Sequence, residues 1–215
     1  MRHKFLPSFV QRKGRITKYQ EKNLSSLPNY EISSFLEIEK AKNNFKKVIL
    51  EIGFGNGENV FKFANNNKEN LYIGSEVYMA GIGQLLGGII ANDLNNLKIV
   101  TGDIRLLLDE VKQPIFDDVV IICPDPWPKL KHHKRRMLNG NFLNLIHKTI
   151  KDDGHLFMST DWENYAESIE GAINQNEGFV KVKDSIYREA SLTKFQQRAV
   201  KEGRKIYPFP LKKVS

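Results

Sequence analysis

From Val48 onward the chain alternates two hydrophobic patterns, short continuous apolar runs and longer segments whose apolar residues recur at helical spacing. Val48-Ile49-Leu50-Glu51-Ile52 predicts a strand that opens into the turn Gly53-Phe54-Gly55-Asn56-Gly57. Asn59 to Asn65 predicts a helix with Val60, Phe61 and Ala64 on its apolar side. Leu71 to Glu76 predicts a second strand, residues 79–91 a Gly-rich apolar helix, Leu97 to Asp103 a third strand, and Ile104 to Val111 a helix. Asp118 to Ile122 predicts a fourth, buried strand, followed by a helix over Asn141 to Ile150 with Phe142, Leu145, Ile146, Thr149 and Ile150 at helical spacing. Gly154 to Asp161 predicts a fifth strand, and Trp162 to Gln175 a helix with Ala166, Ile169 and Ile173 inward. One or two more strands around a basic loop fit Phe179 to Ser215. Strands alternating with helices predict an α/β fold on a doubly wound, mainly parallel sheet, seven-stranded when both tail strands are counted.

The first 47 residues lack this alternation. Residues 1–22 show no sustained apolar period and predict a basic arm that orders on a partner. Residues 23–47 are polar with scattered apolar groups, a lead-in to a single domain spanning 23–215. The charged start Met1-Arg2-His3-Lys4 runs into Phe5-Leu6-Pro7-Ser8 rather than an apolar signal core, and nothing approaches a membrane span, so a cytoplasmic protein is expected. The single cysteine, Cys123, excludes an internal disulfide and a multi-cysteine zinc site. At the end of a buried strand it reads as a small core residue.

Charge changes the picture. The net charge is +8, yet residues 1–22 carry +6, residues 129–136 carry +5 and residues 181–213 carry +7, which leaves −10 for the rest. An acidic body with three basic segments suggests a polyanion gripped in a defined place, and nucleic acid fits better than an anionic membrane because no basic amphipathic helix stands out.

Candidate chemistry gathers at the strand ends. After the fourth strand, Pro124-Asp125-Pro126-Trp127-Pro128-Lys129 stops the ladder and holds an aspartate and an indole in a stiff loop, where open α/β sheets place ligands. The run Lys131-His132-His133-Lys134-Arg135-Arg136 follows at once. A carboxylate, an aromatic face and cations together suit a nucleobase with phosphates beside it, against the plainer reading of a proline turn and a solvated loop. Around the glycine turn stand three acids: Glu51 within the first strand, Glu76 nineteen residues past Gly57, and Asp103 after the third strand. Acids at this turn disfavour phosphates and favour a cationic, phosphate-free nucleoside, a description that fits S-adenosylmethionine. The turn has neither a Gly-x-Gly-x-x-Gly pattern nor a Walker-type Lys-Ser/Thr.

At this level the chain resembles the bacterial tRNA (guanine-N7)-methyltransferases. The shared pieces are Ser8-Phe9-Val10 with Gly14-Arg15, Glu51 to Gly57, Gly74-Ser75-Glu76-Val77, Gly102-Asp103, Pro124 to Lys129 with His132 to Arg136, Thr160-Asp161 with Tyr165-Ala166, and Thr193-Lys194-Phe195-Gln196. The resemblance implies a Rossmann-like class I S-adenosylmethionine-dependent methyltransferase acting on guanosine 46 of the tRNA variable loop. It implies that Glu51, Gly53, Gly55, Gly57, Glu76, Asp103 and Asp125 hold the methyl donor, with Asp125 also the catalytic residue. It further implies that Lys129, Asp161, Thr193, Lys194, Phe195 and Gln196 contact the guanosine and that Lys131, His132, His133, Lys134, Arg135 and Arg136 contact RNA. Gln196 stands where the family commonly has Glu, Tyr78 where His is usual, and Leu130 where a basic residue is common.

Guanine N7 carries an in-plane lone pair, so its methylation requires no deprotonation, and alignment with carboxylate stabilisation of the forming purine cation should suffice. N7 lies in the deep groove of A-form RNA, so the base must sit in a loop or leave its stack, and Trp127 and Phe195 are candidates to face it. Two rival readings are a methyltransferase of exocyclic amines and a noncatalytic RNA-binding module. A hydrolase lacks a Gly-x-Ser-x-Gly elbow, and adjacent His132-His133 among cations do not suit a metal, so no metal is expected. A monomer or homodimer without an obligatory partner subunit is expected.

Overall fold

The computed structural model describes residues 4–10, 15–183, 187 and 193–214, apart from the side chains of Lys194 and Phe195. Its strands form a mostly parallel seven-stranded sheet of the expected doubly wound class, in the order β3-β2-β1-β4-β5-β7-β6. The chain divides into two compact units, Gln11–Glu110 and Met1–Val10 with Val111–Ser215.

The unit Gln11–Glu110 contains α1 (Lys18–Leu24), α2 (Phe35–Lys42), β1 (Val48–Ile52), α3 (Glu58–Asn66), β2 (Leu71–Glu76), α4 (Met79–Ala91), β3 (Leu97–Thr101) and α5 (Ile104–Glu110). All five residues of β1 are buried, which is why the strand reads as a continuous apolar run rather than an alternation. Parallel pairing aligns Ile52 with Ser75 and Glu76 with Thr101, so the three strands release their loops at one edge. Residues 30–32 extend that sheet beyond β3: the Ile99 amide donates to Tyr30 O and the Ile32 amide to Ile99 O, both at 2.8 Å. Asn96 ties the far edge together by donating its side-chain amide to Ala64 O at 3.0 Å, Asn67 O at 3.2 Å and Asn70 O at 3.0 Å.

Two helices occupy the segment expected to be irregular. α1 begins at a capping box in which Thr17 and Gln20 exchange side-chain to backbone hydrogen bonds, and it runs across the expected boundary at residue 22. Its apolar period is too short to register in the sequence, because contact with α4 carries it. The glycines of α4 allow that approach: a Cβ on Gly83 would stand 2.7 Å from Gln20 O, and one on Gly87 would stand 2.1 Å from the Tyr19 hydroxyl. Asn23 donates to Gly83 O at 3.1 Å in the same contact. α2 buries Ile38 as its single buried residue, too little to show as a helical stripe.

The other unit contains β4 (Phe116–Ile122), α6 (Gly140–Thr149), β5 (Ile150–Thr160), α7 (Glu163–Asn174), β6 (Phe179–Lys181), α8 (Lys194–Lys201) and β7 (Tyr207–Lys213). β5 starts four residues earlier than its apolar pattern suggests. Ile150 pairs with Phe116, the register slips between Phe116 and Asp118, and the exposed Asp152 and Asp153 are carried along in the irregularity. β7 runs antiparallel to both β5 and β6, so the tail supplies two strands, and α8 lies between them in sequence. Among the described residues no helix is long and apolar enough to cross a membrane.

Gly83 and Gly171 separate two opposing effects of a helical Gly→Ala change. Nothing lies within 4 Å of a Cβ on Gly171, in α7, so Gly171→Ala is expected to raise unfolding free energy by about 0.5–1 kcal/mol through helix propensity alone. Gly83→Ala gains the same propensity but pushes Cβ against the backbone of α1, an overpacking cost of about 1–3 kcal/mol. Urea denaturation should therefore show Gly171→Ala above wild type and Gly83→Ala below it.

Candidate active site

In the unit Gln11–Glu110 the chain leaves β1 through Gly53, Gly55 and Gly57, whose φ angles are 73°, 61° and 82°. Gly57 caps α3, and a side chain there would be strained by its left-handed backbone and would meet Leu85 Cδ1 at 2.7 Å. Glu76, at the end of β2, holds the turn in shape: its Oε2 accepts the Gly55 amide at 2.8 Å, and its Oε1 accepts those of Val77 at 2.7 Å and Tyr78 at 3.1 Å. The structure thus joins two features that the sequence shows only as a spacing. Three amides leave one of the carboxylate's roughly four acceptor sites open, on Oε2.

Asp103 follows β3 and is gripped in a fork by Arg105, with Nε–Oδ1 at 2.8 Å and Nη2–Oδ2 at 2.6 Å. Arg105 escaped the sequence reading, although the Asp-x-Arg spacing is visible there. Glu51 is 6 % exposed and stands opposite Gly74 in the β1–β2 register. Among the described residues it has no hydrogen-bonding or charged partner, and burial pushes its carboxyl up to about 8, so the acid is largely neutral at pH 7. A buried acid without a partner, a glycine turn and a second, backbone-anchored acid form a donor set that fits a cationic nucleoside such as S-adenosylmethionine.

In the other unit, β4 ends at Ile122 beside Ser159 of β5, and the Cys123 amide donates to Ser159 O at 3.0 Å. Cys123 and Trp127 both have left-handed backbones, at φ 47° and 46°, and bracket Pro124-Asp125-Pro126. For residues with a Cβ this conformation costs on the order of 1–3 kcal/mol each, and it holds the half-buried Asp125 in a bent loop. The Cys123 thiol is pushed up to about 12, first by burial and then by the nearby Asp161, so it is an inert packing group as expected. Asp161, just past β5, is paired with Arg204 at 2.8 Å. Thr193 and Gln196 form a capping box at the start of α8, with the Gln196 amide donating to Thr193 Oγ1 at 3.2 Å and the Thr193 amide to Gln196 Oε1 at 3.0 Å. A glutamine does this as well as a glutamate, and Gln196 is only 7 % exposed. The side chains of Lys194 and Phe195 lie outside the described residues.

Comparison with known proteins decides the family. A family profile described as "Putative methyltransferase" matches residues 45–209. A tRNA (guanine-N(7)-)-methyltransferase of Nitrosococcus oceani is 37% identical over 214 residues, spanning 97% of this chain and 91% of that protein. Another, from Nitrosomonas europaea, is 38% identical over 212 residues, spanning 95% of each. The chain belongs to the tRNA (guanine-N7)-methyltransferase family. Of solved structures, the 16S rRNA methyltransferase KamB is alike in fold, with a TM-score of 0.64 at 13% identity over 86% of this chain and 95% of that one.

In this member of the tRNA (guanine-N7)-methyltransferase family the basic cluster divides in two. Leu130, Lys131 and Lys134 are exposed on a short 3-10 segment, Leu130–Arg135, and Lys129 is exposed just before it. Arg135 stacks over the Trp127 ring at 5.0 Å and His132 meets it edge-on at 5.6 Å, while the indole N–H donates to Ser8 O at 2.9 Å. Trp127, a candidate base platform, is therefore already engaged by protein groups. Desolvation, then Lys131, Arg135, Lys129 and Lys134, lower the His132 pKa. Arg136, expected to touch RNA, instead turns inward. It is 5 % exposed, donates to Pro126 O at 2.9 Å and Asn164 Oδ1 at 3.0 Å, and lies 4.8 Å over the Tyr165 ring. Tyr165 in turn accepts the Leu138 amide at 2.8 Å. The guanidinium ties the proline loop to the start of α7, and sequence alone does not distinguish it from its exposed neighbours.

Glu51 links stability to pH with a definite sign. The unfolded chain ionises Glu51 near 4.5 and the folded one near 8, so between these values the folded state holds the extra proton. Stability from this group is therefore lost as pH rises through the window, by up to about 1.4 kcal/mol per pH unit. In thermal melts without methyl donor, Glu51→Gln should be increasingly more stable than wild type from pH 5 to pH 8, and parallel curves would show that Glu51 is ionised in the fold.

Proposed function

We propose that this protein is a tRNA (guanine(46)-N7)-methyltransferase, which moves a methyl group from S-adenosylmethionine to N7 of guanosine 46 in the tRNA variable loop. The observation that carries the reading is the near full-length similarity to tRNA (guanine-N(7)-)-methyltransferases, coupled with an Asp125 loop held open by two left-handed residues. Bound S-adenosylmethionine supplies an electrophilic methyl on a sulfonium.

Glu51, Gly53, Gly55, Gly57, Glu76, Asp103 and Asp125 hold the methyl donor. With the cation bound, the opposite charge would favour the ionised form of Glu51, its proton passing to solvent. Glu76 keeps its backbone clamp and offers its remaining acceptor site to a ribose hydroxyl. Asp125 orients the guanine edge and stabilises positive charge as it moves onto the purine. It removes no proton, since the N7 lone pair is already free. Lys129, Asp161, Thr193, Lys194 and Phe195 contact the guanosine, and Gln196 acts through its cap on Thr193. Lys131, His132, His133, Lys134 and Arg135 face the RNA backbone. The protein works in the cytoplasm as a monomer or homodimer.

Labelled methyl from S-adenosylmethionine should appear as 7-methylguanosine in unmodified tRNA, with borohydride–aniline cleavage in the variable loop. Label in an exocyclic-amine product would keep the donor site and refute the N7 assignment. Asp125→Ala should keep tRNA affinity and lose about 10²-fold or more in kcat, the scale for removing one transition-state contact. Full turnover in that variant would remove Asp125 from the chemistry.

The division within the basic cluster has its own test. Lys131→Ala and Lys134→Ala should each weaken tRNA binding and reduce the slope of log affinity against log salt by about 0.7–0.9. Arg136→Ala should leave that slope unchanged and instead lower the melting temperature, because it removes buried charge-assisted hydrogen bonds worth about 1.5–3 kcal/mol each.

A further inference from the structure

We infer that Arg204 is a positioning residue for the target base, locking Asp161 so that its open carboxylate oxygen meets the Watson–Crick edge of the guanine. The inference rests on the guanine reading above. Arg204 belongs to none of the motifs that the sequence suggests, and the fold brings it into place. β7 runs antiparallel to β5 with Thr160 opposite Tyr207, so the residues just before β7 lie beside those just after β5. α8 ends at Lys201 with Glu202 as its cap, and Gly203, at φ 77°, reverses the chain so that the Arg204 amide donates back to Ala199 O at 2.9 Å. The guanidinium is thereby aimed at Asp161.

The ion pairs form a chain that runs from Asp161 to Arg198. Arg204 Nη1 lies 2.8 Å from Asp161 Oδ2, Arg204 Nη2 lies 2.7 Å from Glu202 Oε2, and Glu202 Oε1 lies 2.8 Å from Arg198 Nε. The Asp161 carboxylate is 15% exposed, and Oδ1 has no partner among the described residues. Arg204 Nε is buried without a hydrogen-bond partner among the described residues, a loss that natural folds seldom leave in place for packing alone. A planar guanidinium that fixes one carboxylate oxygen leaves the other in a set direction. An acceptor so fixed suits the N1–H and 2-amino donors of guanine, which adenine does not present. α8 therefore serves the base at both ends, with Thr193 at its start and Arg204 just past its finish.

The test uses the full-length protein and two tRNA substrates, one with guanosine and one with inosine at the methylated position, inosine lacking the 2-amino group. Wild type is expected to prefer guanosine, and Arg204→Ala to lose about tenfold to a hundredfold in kcat/KM on guanosine, the scale of one charge-assisted hydrogen bond. It should also lose most of its preference over inosine, with affinity for S-adenosylmethionine unchanged. Arg204→Lys keeps the charge without the fork and should recover part of the preference. Asp161→Asn and the Asp161→Asn/Arg204→Ala double variant should be equally impaired, since Arg204 acts through Asp161. Additive losses, or an Arg204→Ala enzyme with the wild-type preference for guanosine over inosine, would overturn the inference while leaving the proposed function intact. Wild-type label outside guanosine would overturn both.

Discussion

Parallel pairing of short, buried strands is the constraint on which the rest of this structure depends. Two strands that run the same way must release their following loops at the same edge, and the candidate site residues sit at or just past those ends. In Gln11–Glu110 this brings the glycine turn after β1 beside Glu76 and Asp103. In the unit that completes the chain, the β4–β5 pair does the same for Asp125 and Asp161. The antiparallel return of β7 then adds a side chain that no parallel strand could supply, Arg204, because its start meets the end of β5.

The conformational costs of the fold are concentrated at these ends. Glu51 puts an acid inside a strand whose every residue is buried, and that burial pushes its carboxyl up to about 8. Cys123 and Trp127 hold left-handed backbones that most residues avoid, and the proline between each of them and Asp125 leaves the loop little freedom to relax. Such arrangements persist only where the surrounding structure over-determines them. Here the Trp127 N–H to Ser8 O bond and the Arg136 bond to Pro126 O provide that determination.

Electrostatics divides the basic residues by what they can reach. Lys129, Lys131 and Lys134 project into solvent, where a phosphate backbone can neutralise them. Arg135 covers an indole, Arg136 is spent on backbone carbonyls, and Arg204 and Arg105 each hold an aspartate. These four arginines bind groups of the protein itself, where a planar fork matches carboxylate and carbonyl geometry, and these three lysines stay at its surface.

Much of this was legible in the sequence, for identifiable reasons. Runs such as Val48 to Ile52 and Leu71 to Glu76 are buried on both faces, so their continuous apolar character announces strands whatever surrounds them. The glycine turn, the acids at strand ends and the proline loop were equally visible, because each is local in the chain and has a chemical reason of its own. Tertiary structure alone decided the elements whose stability comes from distant partners. α1 exists because Gly83 and Gly87 of α4 admit it, and Ile150 joins β5 because Phe116 is there to pair with it. It also decided which of several like-charged neighbours face inward. Arg135 and Arg136 are identical in composition and adjacent in the chain, and only the position of Asn164 and Pro126 sends one of them into the protein. Local pattern reports what a segment can form, whereas burial and charge pairing depend on residues far away in the chain, and those meet only once it has folded.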